Sequence, residues 1–304
     1  MFLLSVFDGD GELVSYLQRA LGAALAGRQT QHEFFVFYGF GRNGKSTLLE
    51  VLLHVLGADL SGPVKSELLM ETRQSGNADP EILSLRDKRL VWCSETRDNQ
   101  RLNAERIKAF SGGDTLTARY LFASEIVTFT PSFSLILSTN YRPKVSGSDA
   151  ALWNRLRLIP FKMSFVPEPR EAHEKQADPE LKDRLIRETA GILAWLVQGA
   201  LDARQHGTKP PASVTKAALE YRMDESALLS FVKECCYTGE GYRAQAGPWY
   251  EAFSKWFKNA YGEHTTIPSL KRISGELQRI PGITREEQKR HTFFHGIALA
   301  AEEI

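Results

Sequence analysis

Cysteine is scarce in this sequence. Only Cys93, Cys235 and Cys236 occur in 304 residues. Two of them are adjacent and no pair has the doubled CxxC spacing of a zinc site, so neither a disulfide framework nor a zinc finger is expected. An excess of one charge is missing as well. Lys and Arg total 38 against 37 Asp and Glu, and a net charge of +1 offers no bulk attraction to nucleic acid or to an anionic membrane. Any such site has to be local. No apolar run approaches the roughly 18 residues that a membrane-spanning helix needs. The apolar start, Met1 to Phe7, lacks a basic leader and turns acidic at Asp8 and Asp10, which is not the pattern of a signal peptide. These absences point to a reduced, intracellular setting. Internal repeats and low-complexity segments are also lacking, and with 42% hydrophobic and 25% charged residues the composition excludes disorder.

What is present is an alternation of helical and extended patterns. Apolar residues recur with helical period from Glu12 to Leu25, and Gly27 stops them. Phe34 to Tyr38 (FFVFY) is a short uninterrupted apolar run, expected as a strand buried on both faces. Thr47 to Leu56 has the composition of a buried helix stopped at Gly57. Further buried strands are expected at Arg89–Ser94, Ser134–Thr139 and Leu156–Phe161, with a helix from Ala104 to Phe110 between the first two. Repeated strands and helices imply a mostly parallel sheet. A Pro- and charge-rich surface stretch, Val166 to Pro179, follows. Helices are then expected over Ala177–Arg204 and Ser213–Tyr221. The tail has helical patterns at Ser226–Tyr237, Pro248–Tyr261 and Ser269–Ile280, then extended segments around Ile283 and Thr292–Ile297, which is the order of a small winged-helix module. Trp249, Tyr250, Phe253, Trp256 and Phe257 recur at helical spacing and read as core.

Between the first strand and its helix, Gly39-Phe40-Gly41-Arg42-Asn43-Gly44-Lys45-Ser46 fits GxxxxGK[ST]. Backbone N–H groups of such a loop point at phosphates, and the positive end of the following helix favours their charge. Gly39, Gly41, Arg42, Asn43, Gly44 and Thr47 would shape the cradle. Lys45 would reach the β- and γ-phosphates of a nucleoside triphosphate, and the Ser46 hydroxyl would ligand Mg²⁺. The NKxD element with which GTPases read their base does not occur, so that class is set aside.

Other blocks line up behind the loop. They are Ser94-Glu95 at a strand end, Lys108-Ala109-Phe110-Ser111-Gly112-Gly113-Asp114 leading to Ala118-Arg119, Ser138-Thr139-Asn140 followed by Pro143, and Trp153-Asn154-Arg155-Leu156 with Ile159-Pro160-Phe161. In this order they resemble the superfamily 3 helicases, AAA+ motors of viruses and mobile elements, and especially the helicase part of phage and plasmid primases and their poxvirus relatives. The resemblance covers nearly the whole chain. It implies a helical preface (1–30), an α/β AAA+ ATPase core (31–165), a helical linker or lid (166–225) and a winged-helix domain (226–304). It further implies ATP and Mg²⁺ as cofactors, with Glu95 polarising the attacking water and helping Ser46 hold the metal. Asn140 would sense the γ-phosphate. Arg155 would reach a neighbouring subunit's nucleotide, with Arg157 as reserve. One acidic residue of the usual pair is replaced by Ser94.

The same resemblance makes Thr115–Tyr120 and Ile126–Thr130 a hairpin that tracks single-stranded DNA in the pore of a hexameric ring. Its tip reads Leu-Phe-Ala-Ser-Glu where relatives typically carry lysine. Phe122 would stack on a base or simply pack, while Lys108 and Arg119 would contact phosphates. In the tail, Lys271 and Arg272 lie where a winged helix meets DNA, with Arg279, Lys289, Arg290 and His291 nearby. Nine basic and seven acidic residues from 241 to 304 also fit a solvated mixed surface. The expected function is an ATP-dependent helicase module of a phage, prophage or plasmid replication protein in the bacterial host cytoplasm, with priming supplied either by a separate primase or other replication protein or by a lost N-terminal region. The alternatives are a nucleotide-gated DNA-binding adaptor and an AAA+ initiator or loader that does not unwind.

Overall fold

The computed structural model describes residues 1–27, 32–71, 80–94, 100–120, 125–145, 149–262, 267–288 and 291–300. Its contacts divide into two compact units, the first up to Leu219 and the second from Glu220 onward.

In the first unit the strands are β1 (Phe34–Tyr38), β2 (Ser61–Pro63), β3 (Leu90–Ser94), β4 (Leu116–Ala118), β5 (Val127–Phe129), β6 (Ser134–Thr139), β7 (Leu156–Pro160), β8 (Ser164–Val166) and β9 (Glu174–Gln176). The helices are α1 (Phe2–Val6), α2 (Gly11–Leu25), α3 (Lys45–Leu60), α4 (Pro80–Leu83), α5 (Ala104–Gly112), α6 (Ala150–Arg155), α7 (Leu181–Arg187), α8 (Thr189–His206) and α9 (Ala212–Glu225), within which the division falls. Five strands form one sheet in the order β2-β3-β6-β1-β7, and every pairing in it is parallel. The FFVFY run is central because its side chains can be buried on both faces. Phe34, Phe35, Val36 and Phe37 are all in the core. The chain leaves β1 through α3 to the far edge at β2, returns through β3 and β6, and crosses β1 to end at β7. That reversal opens a crevice beyond the carboxyl end of β1, where open α/β sheets bind ligands.

The segment expected as a preface is part of this unit's core. Asp10 caps α2 by accepting from the Leu13 N–H at 2.9 Å. The buried stripe of Leu13, Tyr16, Leu17, Ala20 and Leu21 packs in one cluster with Phe35, Trp92, Ile136 and Ile159. Helix α2 lies against α8 at a glycine contact. A methyl group on Gly22 would stand 2.3 Å from the Ala200 nitrogen, and one on Gly199 would stand 2.2 Å from the Gln18 carbonyl.

Two expectations need correction. The helix expected over Ala177–Arg204 is two helices, broken at Glu188, where the Thr189 hydroxyl donates to the Ile186 carbonyl at 2.6 Å. The stretch after Val166 is on the surface as expected, and β9 within it pairs in parallel with β8 just before it. The helix expected to stop at Gly57 only kinks there, with φ at 78°, and α3 runs on to Leu60.

The second unit runs α10 (Ala227–Cys235), β10 (Cys236–Gln245), α11 (Ala246–Tyr261), α12 (Leu270–Leu277), β11 (Thr284–Gln288) and β12 (His291–Leu299). Its antiparallel sheet has the order β10-β12-β11. Strand β10 was not expected from the sequence, since Gly239 and Gly241 interrupt any alternation and the ladder shifts register between Thr238 and Arg243. Trp249, Phe253 and Phe257 are buried with Phe231, Phe294 and Ile297, while Tyr250 and Trp256 pack against them half-buried.

Candidate nucleotide site

The loop from Gly39 to Ser46 fills the crevice at the end of β1. Its backbone is forced into unusual conformations. Arg42 has φ 60°, and Gly44, the cap of α3, has φ 86°. Left-handed residues on either side of Asn43 turn N–H groups of the loop toward one concavity, which is a cradle for an anion. Gly39 has no alternative, because a Cβ there would lie 2.2 Å from the Phe161 carbonyl.

Lys45 is the centre of the site. It is 5% exposed, and its Nζ donates to the Gly39 carbonyl, to Asn43 Oδ1 at 3.0 Å and to Asn140 Oδ1 at 3.1 Å. Among the described residues it has no carboxylate partner. Burial therefore pushes its pKa down to about 8. A buried cation held only by neutral oxygens is a site for an incoming anion. Asn43, also buried, donates from Nδ2 to the Phe161 carbonyl at 3.5 Å and so ties the loop to the end of β7. Ser46 is exposed on the first turn of α3, with Thr47 half-buried beside it.

Asn140 reaches Lys45 from the end of β6, 95 residues away in sequence. Ser94 ends β3, in register with Ser138. Glu95 lies outside the described residues.

A cavity of about 460 Å³ lies beside the end of β7, with no residue of the loop in its lining. Val6, Asp10, Pro160, Lys162, His173 and Ser213 are among its lining residues. Val6 also faces the loop, since a methyl group on Gly44 would stand 3.1 Å from its Cγ2. The role of α1 was not expected from the sequence. Nothing in a five-residue helix announces that its last residue meets a strand end more than 150 positions on.

The two arginines near the start of β7 differ. Arg155 ends α6 and donates from Nη1 to the Ala151 carbonyl of its own helix at 2.9 Å. Arg157 is committed to Glu33, with Nε to Oε1 at 2.8 Å, and donates to the Asn154 carbonyl at 2.8 Å. Glu33 also accepts from the Thr208 hydroxyl at 3.1 Å. Burial raises the Glu33 pKa against the opposing pull of Arg157. Leu156 pairs with Phe34, the first residue of β1, so Arg155 sits at the end of the sheet opposite the loop. Five residues of strand, roughly 16 Å, separate the two.

Of the expected DNA contacts, Lys108 is half-buried in an ion pair with Asp149 at 3.2 Å. Asp149 also caps α6. Arg119 is exposed just past β4, which pairs with β5 in the expected hairpin. Phe122 and the rest of the tip to residue 124 lie outside the described residues, as do Lys289 and Arg290. Lys271 and Arg272 are exposed on α12, and Arg272 pairs with Glu276 at 3.0 Å. Arg279 is exposed beyond the end of that helix. His291 meets Gln245 and His295 meets Glu286. No metal-binding group of His, Cys, Asp and Glu occurs among the described residues, and no described helix is long and apolar enough to cross a membrane.

Comparison with known proteins agrees with the motif blocks. Residues 37–155 match a family described as of unknown function, DUF5906. An Acanthamoeba polyphaga mimivirus protein named "Putative helicase" is 30% identical over 272 residues, which are 85% of this chain and 28% of that protein. A frog virus 3 protein of the same description is 28% identical over 279 residues, 88% of this chain and 28% of that one. An African swine fever virus protein named "Putative primase" is 26% identical over 147 residues, 47% of this chain and 15% of its own. The chain thus spans less than a third of the length of the relatives it matches. Among solved structures, the apo C-terminal region of NrS-1 (305–718) superposes with a TM-score of 0.60 at 15% identity, covering 97% of this chain and 74% of that one. That likeness concerns the fold. The names of these viral relatives, "Putative helicase" and "Putative primase", accord with the resemblance to superfamily 3 primase-helicases read from the motifs.

Proposed function

We propose that this chain is the ATP-driven helicase module of a viral or mobile-element replication protein, hydrolysing Mg-ATP between the subunits of a ring and moving on single-stranded DNA. The observation that carries this reading is the meeting of Lys45 with Asn140. A phosphate-loop lysine and a polar strand-end residue from β6 converge where a γ-phosphate would lie, which a structural glycine turn does not require. The sheet order then orients the nucleotide. With its phosphate end at Asn140 beyond β6, its base would extend toward β7, where the cavity beside Pro160 and Lys162 has the size of a small-molecule pocket. Ser46 on the first turn of α3, with Glu95, would hold Mg²⁺, whose part is to neutralise charge on the β- and γ-oxygens.

A ring is favoured by the position of Arg155. It stands farther from its own loop than an arginine side chain extends, so a role at a nucleotide requires a second copy. The exposed Arg119 and the exposed face of α12 with Lys271 and Arg272 are the basic positions for DNA. The element order of the second unit, with three helices on a three-stranded antiparallel sheet, supports its reading as a winged helix over 226–304. Residues 31–165 then form the motor core and 166–225 its lid, with priming supplied by another domain or protein. The pairing of Lys108 with Asp149 favours the second reading, an initiator or loader that hydrolyses ATP without tracking DNA.

Steady-state ATP hydrolysis with and without single-stranded DNA, beside Lys45→Ala, tests the proposal. Stimulation by DNA that vanishes in the variant is expected. Hydrolysis indifferent to DNA selects the loader, and no hydrolysis at concentrations that assemble the chain refutes the motor.

A further inference from the structure

The loop after β6 brings a second cation to the last residue of β1. Arg142 follows Asn140 by two residues, and its guanidinium carbon lies 5.0 Å from the centroid of the Tyr38 ring. Tyr38 is the last residue of β1, and the next residue, Gly39, gives its carbonyl to Lys45 Nζ. The guanidinium is thus one aromatic ring away from the phosphate loop. Its approach is fixed at several points. The Thr139 hydroxyl donates to the Tyr141 carbonyl at 2.7 Å and accepts from the Tyr141 N–H at 3.1 Å, which sets the turn between Asn140 and Arg142. Two residues further on, the Lys144 N–H donates to the Gln100 carbonyl at 2.8 Å, and the Leu102 N–H donates to the Lys144 carbonyl at 3.0 Å. The ring has its own support, edge-on to Phe40 at 6.1 Å. Arginine suits such a place. It keeps its charge when half-buried and stacks on an aromatic face.

We propose that Arg142 is a catalytic arginine acting within its own chain, presented by Tyr38 to the γ-phosphoryl group of the nucleotide bound at Lys45. The inference rests on the ATPase reading above and deepens it. In the step concerned, a water oxygen bonds to the γ-phosphorus while the bond to the bridging oxygen breaks. ADP keeps that electron pair, inorganic phosphate leaves, and the proton lost by water passes to solvent. Arg142 takes no proton. It neutralises charge on the γ-oxygens as the bond breaks, a contribution that ADP alone cannot draw on. Lys45 and Arg142 thereby serve the nucleotide from the chain that binds it, leaving Arg155 to act on a neighbour. Tyr38 is a positioning residue.

The test compares the full chain with Arg142→Ala, Arg142→Lys and Tyr38→Leu in two assays, ATP turnover at saturating nucleotide and fluorescent-ADP affinity. Turnover is expected to fall about 10²-fold in Arg142→Ala with ADP affinity unchanged, and to recover in part in Arg142→Lys. Tyr38→Leu should slow turnover when Arg142 is present and add nothing in the Arg142→Ala background. An arginine that merely props the ring would weaken turnover and ADP binding together, and that outcome overturns the proposal. Arg142→Ala with wild-type turnover overturns it too while leaving the ATPase reading intact. A wild-type chain that binds no nucleotide overturns both.

Discussion

Replacing Arg157 by alanine should cost this protein stability, while replacing Arg155 should cost it activity. The two residues are neighbours on the sequence with opposite surroundings. The Glu33 side chain is 8% exposed and that of Arg157 20%. Removing the guanidinium leaves a buried carboxylate answered by hydroxyl groups alone among its named partners, those of Thr208 and Tyr16. Breaking one side of a buried pair typically costs 3–5 kcal/mol, which for a unit of this size lowers the unfolding midpoint by about 10 °C. The pH dependence has a defined sign. Burial already raises the Glu33 pKa, with Arg157 opposing it. Without Arg157 the folded-state value moves further above the unfolded one, so the penalty grows as pH rises through the folded value and fades below the ordinary carboxylate range. Thermal unfolding of wild type and Arg157→Ala from pH 7 down to pH 4 should show the two curves converging in acid, and Glu33→Gln should restore part of the loss at pH 7. Arg155→Ala removes a donor to its own helix carbonyl and should stay within about 1 kcal/mol of wild type, yet lose about 10³-fold in hydrolysis by the assembled chain. An Arg157→Ala protein as stable as wild type, or one whose folded fraction loses as much activity as Arg155→Ala, would refute the assignment.

Two further predictions follow from the site and from the core. With the pKa of Lys45 near 8, nucleotide phosphates should restore its charge, so binding at pH 8 takes up about half a proton. Calorimetry in buffers of different ionisation enthalpy reads this uptake, which should shrink toward pH 6 and vanish in Lys45→Arg. Gly22→Ala and Gly199→Ala each place a methyl group against backbone of the facing helix. Despite a helix-propensity gain of up to about 1 kcal/mol, overpacking of about 1–3 kcal/mol or more should dominate. A rise in the urea midpoint of either variant would show that α2 and α8 can separate freely.

Contiguous signals were legible in the sequence, and those made by distant partners were not. The FFVFY run, the phosphate loop and the helix behind it lie within about 25 positions, so composition and spacing sufficed to place β1 and α3. The strands β3, β6 and β7 were legible for the same reason, as short apolar runs. Strand β10 was invisible because its two glycines remove the alternation by which a half-exposed strand is read, and its pairing is set by β12 some 50 positions later. The spacing that made Arg157 a reserve for Arg155 says nothing of Glu33, which lies 124 residues away.

The candidate site repeats this division on a smaller scale. Residues within one loop could be proposed for phosphates from their order, but the direction proposed for the nucleotide depends on which strands flank β1. Neighbours in sequence along the sheet are not neighbours in space. Strand β6 lands on one side of β1 and β7 on the other, so Asn140 stands on one side of the loop, and Pro160 and Lys162, which line a cavity with Val6 from α1, on the other. A chain with the same motifs but β6 and β7 exchanged would keep its phosphate loop and lose the meeting of Lys45 with Asn140. The chemistry proposed for the loop is therefore a property of the crossover at β1 as much as of the motif.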